Sequence, residues 1–162
     1  MPRKLPDVVA APGLVVLKSK RELQLLSEGA VIRTYRIGLG IDPVRPKERQ
    51  GDFATPEGTY YVCVKNPRSR FTLSLGLSYP GPLDAERGLA AGMITAEQQS
   101  RIVAACAAGG TPPWNTRLGG EIMIHGRGSQ ADWTAGCIAL DDADIRELYR
   151  VTPLGTPVEI RA

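Results

Sequence analysis

The chain has 162 residues, 43% hydrophobic and 23% charged, which is room for one domain with a proper core and no second one. A net charge of +3, without a Lys/Arg stripe interleaved with aromatics, excludes nucleic acid as the main partner. No stretch reaches the ~18 apolar residues of a membrane span, and one histidine with three scattered cysteines is a poor zinc set, so neither metal nor cofactor is expected.

At the N-terminus, Arg3 and Lys4 imitate the basic start of a secretory signal. The apolar run from Val8 to Leu17 is broken by Pro12-Gly13 and leads into Lys18-Ser19-Lys20-Arg21, so it reads as a first strand and not as a convincing leader. Leu14–Leu17, Glu22–Leu26 and Val31–Ile37 are three predicted strands, the second turn lying at Glu28-Gly29. A basic, proline-bearing loop follows from Pro43 to Arg49, then a Gly51–Gly58 turn and a strand over Tyr60–Val64. Phe71–Leu75 alternates with the period of a half-buried strand. Pro80 to Gly92 reads as irregular.

Thr95-Ala96-Glu97-Gln98 has the form of a capping box, opening a helix to about Ala108 that Gly109-Gly110-Thr111-Pro112-Pro113 stops. Glu121–Ile124 is a strand. A second helix begins near Asp141, with Asp142 and Asp144 at its positive end and Ile145, Leu148 and Tyr149 on one face. Thr156 to Arg161 closes the chain as a strand. The pattern predicts a mainly β fold with minor α, a single-domain β-sandwich or curled mixed sheet over residues 1–162 with one or two helices packed on it.

The chemistry is concentrated near the end. The apolar run Ile122-Met123-Ile124 delivers the only histidine, His125, to a glycine-lined loop. Twelve positions later Ala135-Gly136 presents Cys137 ahead of a second apolar run, and the loop between is long enough to fold back. A free thiol has a pKa of ~8.5 and is a weak nucleophile at neutral pH. An adjacent imidazole can take its proton and hold the pair as thiolate and imidazolium. Gly136 lets backbone N–H groups approach a carbonyl under attack, and the Cys137 amide is a natural oxyanion donor. Thr134 is placed to support the turn through its hydroxyl. The residues alone leave open a strand-end histidine and an inert buried cysteine.

Two aspartates tempt assembly into a triad. A backbone carbonyl serves the imidazole equally well, so Asp132 is the lesser choice, while Asp52 is expected to brace its own turn. Cys63 in a strand and Cys106 in an alanine-rich helix are read as core thiols, with a disulfide between them left open.

His125-Gly126 followed by Thr134-Ala135-Gly136-Cys137-Ile138-Ala139-Leu140 resembles the active-site signature of the L,D-transpeptidase catalytic domain (YkuD-type). Gly51-Asp52-Phe53-Ala54-Thr55-Pro56-Glu57-Gly58-Thr59-Tyr60 and Leu154–Ile160 are similar to further stretches of that family, over roughly residues 14 to 161. Ser74-Leu75-Gly76-Leu77-Ser78-Tyr79-Pro80 and Asp132-Trp133-Thr134 resemble its YafK/DpaA-like branch. The resemblance implies a cysteine enzyme of peptidoglycan stem peptides, in the periplasm or cell envelope. Cys137 would act through a thioester at a diamino acid centre, with His125 and Gly136 as the other catalytic elements.

The outcome implied is L,D-transpeptidation. The alternatives are an L,D-amidase or carboxypeptidase-type hydrolase, including one that releases a peptide-linked lipoprotein, and an inactive wall-binding module. Ala135 and Ala139 stand where most members carry histidine and arginine, which removes a polar contact and a cation. Arg127 is the nearest cation and a candidate replacement. Thr134, Trp133, Trp114 and Tyr79 complete the candidate substrate-binding residues. Trp133 reads more as support for the nucleophile loop. Trp114 reads equally as a loop anchor, and the segments around Ser78–Gly92 and Gly109–Gly120 as walls of the cleft.

Overall fold

The structure is a computed structural model describing residues 3–162. Three strands open it: β1 (Pro12–Leu17), β2 (Glu22–Ser27) and β3 (Ala30–Arg36). Ser27 pairs with Ala30 across a two-residue turn in which Glu28 and Gly29 both have positive φ, 50° and 82°. That geometry matches the twist of a hairpin. β4 (Gly58–Asn66) and β5 (Ser74–Leu77) follow, then helices α1 (Pro82–Ala90) and α2 (Ala96–Ala107). The chain ends with β6 (Met123–His125), β7 (Ile138–Ala139), α3 (Asp142–Val151) and β8 (Pro157–Arg161).

The eight strands form one sheet in the order β3-β2-β1-β8-β4-β5-β6-β7. Pairs β1/β8 and β6/β7 are parallel and the rest antiparallel. Beyond β3 the chain turns back to the far edge. Gly38 and Ala139 exchange N–H···O bonds of 2.9 Å, and Gly40 bridges to Thr134. The two edges therefore approach each other, and the sheet is curled and mixed, not a sandwich of two. Close approach requires glycine here: a Cβ on Gly38 would lie 2.1 Å from the Ala131 carbonyl oxygen.

Leu14, Val16, Leu23, Leu25, Leu75, Leu77, Ile124, Ile138, Val158 and Ile160 fill the core, and α3 adds Ile145, Leu148 and Val151. Residues of this kind contribute roughly 1.5–3 kcal/mol each when fully buried. A second apolar cluster joins α1 and α2 through Ala85, Ile94, Ile102 and Leu118.

Sequence and structure differ at two places in the element pattern. Pro80–Gly92 is not irregular, because Pro82 opens α1 at its first turn, where a missing N–H costs nothing, and Asp84 accepts from the Gly81 N–H at 2.8 Å. The predicted strand Phe71–Leu75 begins only at Ser74: Thr72 has φ 77°, a left-handed residue that no strand accommodates. Lys18 is buried, and its ammonium donates to Thr55 O at 2.8 Å and to Glu57 Oε2 at 3.1 Å, fastening the 45–57 loop to the sheet.

Candidate active site

His125 ends strand β6, and Cys137 immediately precedes the neighbouring strand β7. The parallel register matches Ile124 with Ile138 and His125 with Ala139. Alternation along each strand then puts Met123, His125, Cys137 and Ala139 on one face. Ser74 and Gly76, opposite His125 and Met123 on β5, extend that face.

The imidazole is held firmly. His125 is buried, and its Nδ1 lies 2.7 Å from the Gly126 carbonyl oxygen. A carbonyl only accepts, so Nδ1 carries the proton and Nε2 keeps its lone pair. Phe71 stacks on the ring at 4.4 Å between centroids, and Trp133 meets it edge-on at 5.6 Å. Burial pushes the imidazole below its ordinary value of 6.5, against the opposing pull of the Gly126 oxygen.

The thiol has different partners. Cys137 Sγ donates to Glu121 O at 3.5 Å and accepts from the Met123 N–H at 3.4 Å. Glu121 has φ 56°, so the carbonyl receiving the thiol belongs to a strained residue. Burial pushes the Cys137 thiol up, opposed by the Met123 N–H and by the Lys47 charge. Burial thus acts against the charged form of both groups, favouring thiol and neutral imidazole.

The nucleophile turn is pinned from inside. Thr134 Oγ1 donates to Cys137 O at 2.7 Å and accepts from the Gly136 N–H at 3.1 Å. Gly136 has φ 134°, and a Cβ there would lie 2.6 Å from Ala54 O. The Gly51–Gly58 segment thus supports the turn directly. Asp52 braces it as expected, accepting from the Glu48, Arg49 and Ala54 amides and from Lys47 Nζ at 2.9 Å. Asp132 is bonded elsewhere than to His125. Arg21 grips it with Nε and Nη2 at 2.9 and 2.8 Å, and the Leu39 N–H donates to the same carboxylate.

The remaining candidates are distributed unevenly. Trp133 is 38% exposed at the rim, its indole donating to Gly128 O at 3.0 Å. Arg127 is exposed with φ 81°. Trp114 covers Gly76 next to Met123, on the thiol side of the face, and its indole nitrogen is buried without a partner. Tyr79 is corrected: it is fully enclosed, its hydroxyl donating to Leu118 O at 2.7 Å, so it is a post behind the cleft and not a surface that substrate meets. Ala139 is fully buried as well, leaving no route for a charged group at that position. Cys63 and Cys106 are free thiols whose burial pushes both up.

Lys47 was not singled out by the sequence. It is buried, paired with Asp52, and its charge opposes the rise of the Cys137 thiol. Its only sequence signal is its place four residues before a Gly-Asp turn, within the basic, proline-bearing Pro43–Arg49 loop.

Comparison with known proteins places these features in a family. The model of the YkuD L,D-transpeptidase catalytic domain matches residues 12–160. Among solved structures, the helical cell shape determining protein Pgp2 (K307A mutant) of Campylobacter jejuni is similar with a TM-score of 0.63 and 20% identity, over 94% of this chain and 47% of that one. Bd1075 of Bdellovibrio bacteriovorus gives 0.60 and 19%, over 98% and 54%. The L,D-transpeptidase (residues 123-326) of Xylanimonas cellulosilytica gives 0.55 and 19%, over 98% and 64%. The chain thus spans about half to two-thirds of these neighbours, and at such identities the likeness concerns the fold. A search of curated proteins found no match. With a family model matched across nearly its whole length, the chain belongs to the YkuD family of L,D-transpeptidase catalytic domains.

Proposed function

We propose that this domain is a cysteine-dependent enzyme of peptidoglycan stem peptides, acting in the cell envelope as an L,D-transpeptidase. The observation that carries the reading is the placement of Cys137 and His125 on one face of adjacent strands, with the imidazole tautomer that leaves Nε2 basic.

In the proposed reaction the thiol rotates from Glu121 O toward Nε2. His125 takes its proton as Sγ attacks the amide carbonyl at a diamino acid centre. The Gly136 N–H is committed to Thr134, so the oxyanion falls to the Cys137 amide with a neighbouring donor. The C–N bond breaks, the leaving amine takes the proton from His125, and a thioester remains. An incoming amine loses a proton to His125, attacks the thioester and expels Sγ, which recovers that proton. Because the resting pair is neutral, proton transfer accompanies attack instead of preceding it.

A second reading, an inactive wall-binding module, is favoured by the thiol's present engagement with Glu121 O and Met123 N. The test is product mass spectrometry on tetrapeptide stems with a D-amino acid acceptor, Cys137→Ala alongside. An exchanged or cross-linked product supports transpeptidation. Loss of a group with gain of water means a hydrolase, and products in neither case, from folded protein, favour the inactive module.

A further inference from the structure

The full burial of Ala139 means that any cation meeting an anionic substrate must stand elsewhere. Two loops supply it on the imidazole side of the site. Arg70 and Phe71 come from the β4–β5 connection, and Arg127, Gly128, Gln130, Ala131 and Trp133 from the loop after β6. Together they line an open cleft of about 660 Å3. Its floor is aromatic: Phe71 and Trp133 lie 5.9 Å apart between centroids, and Phe71 is the ring stacked on His125. The cleft is thus separated from the imidazole by one aromatic ring.

Its rim carries two arginines, with the Asp142 carboxylate close enough to Arg127 to feel its charge. Among the described residues, neither Arg70 nor Arg127 takes part in an ion pair. The Arg70 guanidinium lies 5.4 Å from the Phe71 ring centroid, over its face. One guanidinium over an apolar ring, with a second arginine lining the same cleft, suits a carboxylate attached to a hydrocarbon body.

The two rims are also locked to each other. Asp142 Oδ1, at the start of α3, accepts from the Thr72 hydroxyl at 2.7 Å and from the Arg127 N–H at 2.9 Å. Phe71 O accepts from the Gly126 N–H at 2.8 Å. Thr72 and Arg127 both hold left-handed φ, 77° and 81°, which is a strained arrangement that a single carboxylate stabilises on both loops at once.

We infer that Arg70 and Arg127, over the Phe71–Trp133 floor, form a recognition site for a carboxylate-bearing peptide segment entering from the imidazole side. The peptidoglycan reading is needed only to name the peptide. The carboxylate belongs either to the stem that is cleaved or to the amine that resolves the thioester, and the two have the same chemistry.

The test is a titration of the full chain carrying Cys137→Ala, followed through its two tryptophan indole N–H resonances, assigned with Trp133→Phe. The probes are a stem tripeptide ending in meso-diaminopimelate, with carboxylates free or amidated, and D-alanine against D-alaninamide. The free-carboxylate form of one probe is expected to shift the Trp133 resonance. Amidation, or Arg70→Gln with Arg127→Gln, is expected to weaken it about tenfold. Response to the tripeptide assigns the cleft to the stem, and response to D-alanine assigns it to the acceptor. Equal shifts from amidated probes, retained affinity in the double variant, or no Trp133 shift with any probe overturns the site. Turnover of the Cys137-containing protein is read separately: absence of product there contradicts the cysteine reading and leaves the binding result standing.

Discussion

His125 and Cys137 share a face of two adjacent parallel strands, offset by two residues, yet each is bonded to main chain and not to the other. The imidazole is anchored by Nδ1 to its neighbour's carbonyl, while the thiol rests on the carbonyl of Glu121. Anchoring by a main-chain oxygen fixes the tautomer without introducing a charge beside the ring. The consequence is a site poised as two neutral groups.

That poise sets the pH dependence. The His125 pKa is depressed by burial, so the base form is available above a value lying below 6.5. The Cys137 thiol is raised above 9.0, so it remains protonated through the neutral range. Activity is expected to have its acid limb below pH 6.5, and iodoacetamide is expected to alkylate Cys137 more slowly than a free thiol at pH 7. Alkylation faster than a free thiol at that pH contradicts the neutral pair. His125→Ala should lower kcat by about 10²–10⁴.

Lys47 opposes the rise of the thiol. Removing its charge alone would strand Asp52 in a largely buried pair, at a cost of roughly 3–5 kcal/mol. Lys47→Met together with Asp52→Asn removes both charges while leaving a side-chain carbonyl for the loop amides. The alkylation midpoint of Cys137 should then move to higher pH. An unchanged midpoint in a folded double variant shows that Lys47 does not act on the thiol.

Gly136→Ala tests the turn itself. Its φ of 134° disfavours any side chain, and the new Cβ would press on Ala54 O at 2.6 Å. The expected loss is about 1–3 kcal/mol, read as a thermal shift of a few degrees downward. Gly13→Ala, at a position where a Cβ meets nothing within 4 Å, is the control.

Asp132 belongs to stability and not to proton transfer. Its bonds to Arg21 outweigh burial and hold its carboxyl below 3.8. A depressed carboxylate contributes fully above its unfolded value and loses that contribution as pH falls through the folded one. Asp132→Asn should therefore flatten the decline of thermal stability below about pH 4 while leaving the pH profile of turnover unchanged. A shifted acid limb of turnover would instead restore Asp132 to the proton relay.

Much of this was legible in local chemistry. The capping box at Thr95–Gln98 forms with bonds of 2.9 and 3.1 Å, and the Glu28-Gly29 hairpin lies where alternation breaks. The strand end at His125 and the glycine turn that leads through Cys137 into β7 were readable because glycine spacing and apolar flanks are short-range signals. What escaped depends on distant segments. Tyr79 sits in a sheet-end sequence, but it belongs to the main core, with Tyr60 edge-on at 6.0 Å and Leu118 O accepting its hydroxyl. The Phe71–Ser74 error has the same origin, since the left-handed Thr72 is stabilised by Asp142, seventy residues away. Lys47 carried no periodic signal at all, and its role comes from burial alone.

The most direct measurement is intact-protein and peptide-resolved mass spectrometry of the chain mixed with a tetrapeptide stem and quenched in acid. The account predicts an acyl adduct on the peptide containing Cys137, labile to hydroxylamine as a thioester is, and absent from Cys137→Ala. Product formation with no adduct at Cys137, or undiminished in Cys137→Ala, would contradict it.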